Sequence, residues 1–148
     1  MAPETEKRKD WMGLLARAPS GRAAELLAKT GIAADITWLR TPEIGSVMVR
    51  GRAGGTGAPF NLGEMTHTRC SQKLACDTVG HGHVQGRRKS DAEAAARIDA
   101  LMQTDVAGAI IAHVLEPLRL EESARKAARA AKAAASKVEF FTMVRGED

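Results

Sequence analysis

Tyrosine is missing from these 148 residues, and aromatics of all kinds make up only 3% of them. That scarcity counts against an aromatic-rich β-sandwich. It counts equally against a nucleic-acid binder that grips single strands through stacking platforms. Long apolar runs are missing too, since nothing approaches the ~18 consecutive apolar residues of a membrane span. The opening stretch MAPETEKRKDW is charged throughout and has no secretory apolar core. A soluble, cytoplasmic chain with no membrane partner is expected. Cysteine is scarce as well: Cys70 and Cys76 are too few for a disulfide framework. On one straight strand they would stand ~20 Å apart, beyond the reach of a disulfide or a shared metal ion.

What is present suits an ordinary folded core. Hydrophobic residues make up 44% of the chain and charged residues 27%, with alanine abundant. The length fits one domain covering 1–148. The net charge of +4 is modest, but it is segmented. Residues 44–90 carry Arg50, Arg52, Arg69, Lys73, Arg87, Arg88 and Lys89 against Glu64 and Asp77 only. A second basic stretch runs over 119–137, and an acidic one over 91–118 separates the two. A basic middle attracts anions: phosphates, nucleic acid or an acidic protein surface.

Trp11, Leu14, Leu15 and Ala18 recur at helical spacing and predict a helix ending near Pro19. Ser20 is placed to cap a second helix carrying Ala23, Leu26 and Leu27, with Gly31 as its stop. DITWLR and SVMVRGR read as strands joined by a turn at TPEIG. AGGTGAP is the clearest loop. The alternation after Glu64 predicts a strand with Thr66, Thr68, Cys70, Gln72, Leu74 and Cys76 on one face and His67, Arg69 and Lys73 on the other. GHGHVQGR follows as a short strand, and Ser90 with Glu93 reads as a capping box opening a helix. Helical segments continue, stopping at Pro117 and restarting there with an alanine-rich stripe from Leu120 to Ala135. That stripe packs either on the domain or on another subunit. VEFFTMV closes the chain as a strand returning to the sheet. Strands arriving in succession favour a mostly antiparallel sheet, with N-terminal, middle and late helices around it, in the α+β class.

The sharpest local signal for chemistry is Arg50-Gly-Arg52-Ala-Gly54-Gly55-Thr56-Gly57. Glycines let backbone N–H groups crowd an anion, and arginines grip phosphate oxygens in pairs. The lysine and the following helix of a P-loop are absent, and a flexible hairpin loop is the plainer reading. His81 and His83 fall on one side of a strand, ~6–7 Å apart at the backbone. With His67 or a cysteine they allow a zinc site to be drawn, though only weakly. For acid–base work Glu64, Asp77, His67, His81 and His83 are candidates by sequence proximity alone. No nucleophile motif is present, so the catalytic residue stays unknown.

Four stretches in order are similar to the G subunit family of the bacterial carbon–phosphorus lyase system. They are RKDWMGLLA, WLRTPEIGSVMVRGRAGGTGAPFNLGEMTHTRC, GHVQGRRKSDAEAAARIDALMQ and KVEFFTMVRG. The resemblance implies a cytoplasmic subunit of a core complex with H, I and J subunits. That complex uses ATP and an alkylphosphonate as substrates. The phosphonate displaces adenine, giving α-D-ribose 1-methylphosphonate 5-triphosphate. Nucleosidase-like chemistry goes with I, and a radical step on an iron–sulfur cluster goes with J. This chain has too few cysteines for such a cluster, and no cofactor is expected on it. Its own role is implied to be accessory, structural or substrate-orienting.

Arg52, Gly54, Gly55, Thr56, Gly57, Arg69, Gly86, Arg87 and Lys89 fall on the family pattern, and no catalytic residue carries over. With Arg50 they form the expected anion, substrate or partner-binding set. Arg88 stands where the family commonly has Asp, so any local salt bridge there is lost or reversed. Self-association of the isolated chain is compatible with this picture. The alternative, from another class, is a small basic nucleic-acid-binding module, whose affinity would fall steeply with salt; the resemblance ranks it well behind, and nucleic acid is not expected as a partner. A stand-alone zinc or acid–base enzyme is the other rival.

Overall fold

A computed structural model describes residues 3–138. Helices α1 (Pro3–Arg17) and α2 (Arg22–Lys29) lead into strands β1 (Ile36–Arg52), β2 (Pro59–Leu74) and β3 (Val79–Gln85). Helix α3 (Lys89–Leu101) follows, then α4 (Ala107–Ile110), a π-helical turn over Ile111–Leu115, and α5 (Glu116–Ala135). Among the described residues the sheet is antiparallel in the order β1-β2-β3, and the class is α+β as expected. The closing strand expected over VEFFTMV lies outside the described residues, apart from its first position.

Alternation along β2 builds the core. Thr68, Cys70, Gln72 and Leu74 are buried, while the residues between them are more open to solvent. Val84 joins them from β3, and α3 covers this face with Ala92, Ala96, Ile98 and Ala100. Strand and helix come unusually close. A Cβ on Gly80 would lie 2.0 Å from the Ala96 carbonyl oxygen, and one on Gly82 would lie 2.0 Å from that of Ala92. The glycines of GHGH are therefore packing residues: only a bare backbone fits under the alanine face of α3.

Two buried aspartates on α3 tie the helices to the sheet. Asp99 accepts from Arg8 Nε at 3.1 Å, Arg8 Nη2 at 2.7 Å, Trp11 Nε1 at 2.9 Å and the His81 backbone N–H at 2.8 Å. It thereby joins α1, α3 and the outer edge of β3. Asp91 accepts from Ser20 Oγ at 3.0 Å and from the Gly21 N–H at 2.7 Å. A buried carboxylate supplied with this many donors is stable where a lone one would not be.

Several sequence expectations are corrected. Ser20 does not cap α2; the cap position is Gly21, at φ 76°, and its N–H is met by Asp91 across the domain. Ser90 and Glu93 form no capping box, because α3 starts at Lys89 and puts Ser90 inside its first turn. TPEIG is not a turn. β1 runs straight through it, and register shifts between Trp38 and Arg40 and between Arg40 and Glu43 absorb the extra residues. Pro42 lacks an N–H to give to a ladder, and such an irregularity is where a strand tolerates it. β2 ends at Leu74, so Cys76 leaves the buried face for an exposed turn. Pro117 does not stop the helix: it occupies the first turn of α5, where its missing N–H is not needed. The alanine stripe does not pack on the described domain. Leu118 is buried, but Leu120 is 71% exposed and the residues from Ser123 to Ala135 are all exposed.

Candidate functional site

β1 and β2 form a long hairpin, and only its base is part of the three-stranded sheet. β3 ends at Gln85, opposite His67, so beyond that level the hairpin is a two-stranded arm. Its strands pair from Gly45 with His67 out to Arg52 with Pro59. The tip is the expected loop. Gly54 and Gly55 take φ of 60° and 82°, the Gly57 N–H donates to Ala53 O at 2.8 Å, and Arg52 Nη1 donates to Gly57 O at 3.1 Å. Arg52 thus closes the loop from outside, while Arg50 stands exposed beside it, opposite Asn61. A Cβ on Gly57 would meet Ala53 O at 2.6 Å, so that glycine serves the tight turn itself.

Arg69 does not join this tip. It pairs with Glu43, and ten residues of β2 separate it from the level of Arg52. At ~3.3 Å per residue that is ~33 Å, far too long for one small anion to bridge. Arg87 and Lys89 occupy a third place, exposed at the β3–α3 corner, where the Gly86 N–H donates to Thr66 O at 2.9 Å. The basic middle of the sequence is therefore divided between the tip, the base of the arm and this corner.

The base gathers a different set. On the sheet face opposite α3, His67 and Arg69 of β2 neighbour His83 of β3. The His67 and His83 rings stack at 5.9 Å between centroids, 14° from parallel. Glu43 accepts from Arg40 Nη1 and, at 2.6 Å, from Arg69 Nε. The two guanidiniums, Arg40 first, hold its carboxyl below the ordinary carboxylate range. His83 is pushed down from the ordinary 6.5 by burial first, then by the positive charge of His67, His81 and Arg69. Between this face and α1 lies a pocket of about 370 Å³ lined by Ala16, Ser46, Val47, Met65, His67, Arg69, His83 and Val84.

Other sequence candidates resolve individually. Ser71 Oγ and His81 Nδ1 share a hydrogen bond at 2.9 Å. Among the described residues no carboxylate side chain bonds the other ring nitrogen of His81, so the pair lacks the orienting group of a nucleophilic triad. The drawn zinc site is not assembled. Cys70 lies buried on the opposite face, and among the described residues no three His, Cys, Asp or Glu side chains are grouped to hold a metal. Burial pushes the Cys70 thiol up to about 11, which makes it a packing residue rather than a nucleophile. Asp77, at φ 64°, pairs with Lys73 in the β2–β3 turn, and Glu64 faces solvent on the arm. Arg88 forms a salt bridge with Asp91 at 3.2 Å. It also donates to the carbonyls of Ala18 and Ala16 at the end of α1.

The His67–His83 stack is what the sequence reading missed. Alternation already put His67 and Arg69 on one face, but the partner strand and its register were needed to bring His83 beside them.

The arm also carries the largest uncovered apolar surface. Phe60 and Leu62, turned by the bulge between Val49 and Arg50 to the face opposite α3 beside Gly51, are exposed, Leu62 at 65%, and Met48 and, at the arm's root, Ile44 are exposed on the face that α3 covers at the base. Val47 is exposed on the other face. The architecture defines a small α+β protein with a projecting two-stranded arm and a bare C-terminal helix. Residues 6–146 match the family model described as phosphonate metabolism protein PhnG, and the chain belongs to that family. It is 41% identical over 142 residues to a Rhizobium meliloti (strain 1021) protein named alpha-D-ribose 1-methylphosphonate 5-triphosphate synthase subunit PhnG. That match covers 96% of this chain and 91% of the relative. Among the described residues no helix is long and apolar enough to cross a membrane.

Proposed function

We propose that this chain is the G-type subunit of a cytoplasmic α-D-ribose 1-methylphosphonate 5-triphosphate synthase. It assembles with H, I and J subunits and is needed for an alkylphosphonate to displace adenine from the ribose of ATP. The relative's printed name, at 41% identity over nearly the full length of both chains, carries this reading. The geometry adds the manner of working. An arm with apolar side chains on both faces is poorly stabilised as an isolated hairpin, and exposed apolar groups of this extent mark an interaction surface. The chain's part is accessory: it supplies structure and positions a partner or substrate, with the glycine tip and Arg50 and Arg52 at the arm's far end.

The test is adenine release from ATP plus methylphosphonate with the other subunits present. Release that depends on adding this chain supports the reading, and equal release without it refutes it. Arg52→Ala, run beside size-exclusion chromatography, separates two roles. Lost release with the complex intact puts the tip at the reaction; intact release makes the tip part of a scaffold. For the basic segment 44–90 the nucleic-acid alternative loses ground, because its basic residues lie at three separate places and not along one stripe.

A further inference from the structure

We propose that the pocket between the sheet and α1, lined by His67, Arg69 and His83, binds the tetrahedral dianion of a short alkylphosphonate. The polar groups converge and are left unused by the fold. His67 Nδ1 is buried without a hydrogen-bond partner. Arg69 spends its Nε on Glu43, and among the described residues its two terminal nitrogens make no hydrogen bond. A guanidinium edge and imidazole nitrogens are donors that phosphoryl-type oxygens accept.

The charge around the pocket favours an anion. β1 contributes Arg40 and Glu43, β2 His67 and Arg69, and β3 His81 and His83; α1 contributes the uncharged Ala16. One carboxylate is shared between two arginines, which leaves the face positive even with every histidine neutral. The apolar walls are Val47, Met65, Val84 and Ala16. Inorganic phosphate has nothing to place against them, whereas a methyl or ethyl group on phosphorus does. That selects the phosphonate over the bare oxyanion, and about 370 Å³ suits a small molecule.

The alkyl preference stands on the pocket, while calling the ligand this protein's substrate rests on the function proposed above. The experiment is calorimetric titration of the full-length chain with methylphosphonate, ethylphosphonate, inorganic phosphate and ATP in parallel. Saturable binding of both alkylphosphonates, tighter than phosphate and weakened about tenfold or more in Arg69→Gln, is expected. His67→Gln should weaken it similarly, and Arg129→Gln on exposed α5 should not. Thermal melts establish that each variant is folded. NMR of the imidazoles gives an independent signature: methylphosphonate should raise the titration midpoint of His83. Binding of ATP alone, or equal binding of phosphate and phosphonate, overturns the assignment, as does no binding by the folded wild-type chain. Failure of binding with chain-dependent adenine release preserved sinks the pocket and spares the function. Binding without such release does the reverse.

Discussion

The base and the arm of the β1–β2 hairpin share one pattern and meet opposite fates. At the base, the inward face of β2 is buried to within a few per cent, sealed by α3 and flanked by β3. Past the end of β3 the arm exposes Met48 on that face and Val47, Phe60 and Leu62 on the opposite one, and among the described residues no helix or third strand covers either. The base is held by tertiary contacts that would survive in isolation. The arm is held by its own ladder, which for two strands in water is marginal. Alternation alone therefore declares an apolar face but does not say what buries it.

The comparison can be broken most forcefully at Asp99. Four donors from α1 and β3 converge on its fully buried carboxylate. Asp99→Asn keeps the shape but leaves donors facing an amide NH2 and a buried guanidinium edge without its counter-charge. The expected loss is about 3–5 kcal/mol by urea denaturation. Gly82→Ala comes next, at about 3 kcal/mol, because its Cβ would drive into the Ala92 carbonyl and α3 would have to lift. Gly63→Ala on the arm is its counterpart. Nothing lies within 4 Å of that position, so the change should stay within about 0.5 kcal/mol. Equal costs at Gly82 and Gly63 would erase the distinction between base and arm.

Acid should weaken the base by a smaller amount. The folded protein holds His83 below its ordinary 6.5, so in that interval the unfolded chain binds more protons. His83 contributes its stability fully above 6.5, and the contribution is lost as pH falls from there through the lowered value. Denaturation midpoints measured from pH 7.5 down to 5.5 should decline, and His83→Gln should flatten that decline. A midpoint that rises on acidification would contradict the assignment of burial and neighbouring cations as the cause.

Much of this was legible in the sequence, and what was not shares a physical origin. The strand over residues 66–74, the glycine tip and the helices follow from periodicity and turn chemistry, which act locally. Asp99 gave no local sign, because its partners Arg8 and Trp11 lie 91 and 88 positions away. Pro42 was misleading in the same way: a proline reads as a break unless the opposing strand can take up a bulge. Reading the next strand only from Glu64 leaves out the start of β2 at Pro59, and Arg52 and Arg69 then look like neighbours in one basic segment. Starting β2 at Pro59, opposite Arg52, is what places Arg69 ten residues further along the arm.

The smallest expected change in stability belongs to the arm's apolar face, and there it should coincide with a large change in assembly. Val47, Phe60 and Leu62, on one face, are 44%, 45% and 65% exposed in the isolated chain. Each replaced by Ser should shift the chain's own denaturation by less than about 0.5 kcal/mol, since little burial is lost. If the arm is completed by a partner subunit, those side chains become the buried centre of an interface. The double variant Phe60→Ser with Leu62→Ser should then cost about 2 kcal/mol or more of association, roughly thirtyfold in affinity. Co-purification with the other synthase subunits measures the second quantity and urea denaturation the first. A variant that assembles normally would show that the arm's apolar face is not where partners bind, and would return attention to the bare length of α5. A variant that unfolds instead would show that the arm is stabilised from within, and the contrast between base and arm would lose its basis.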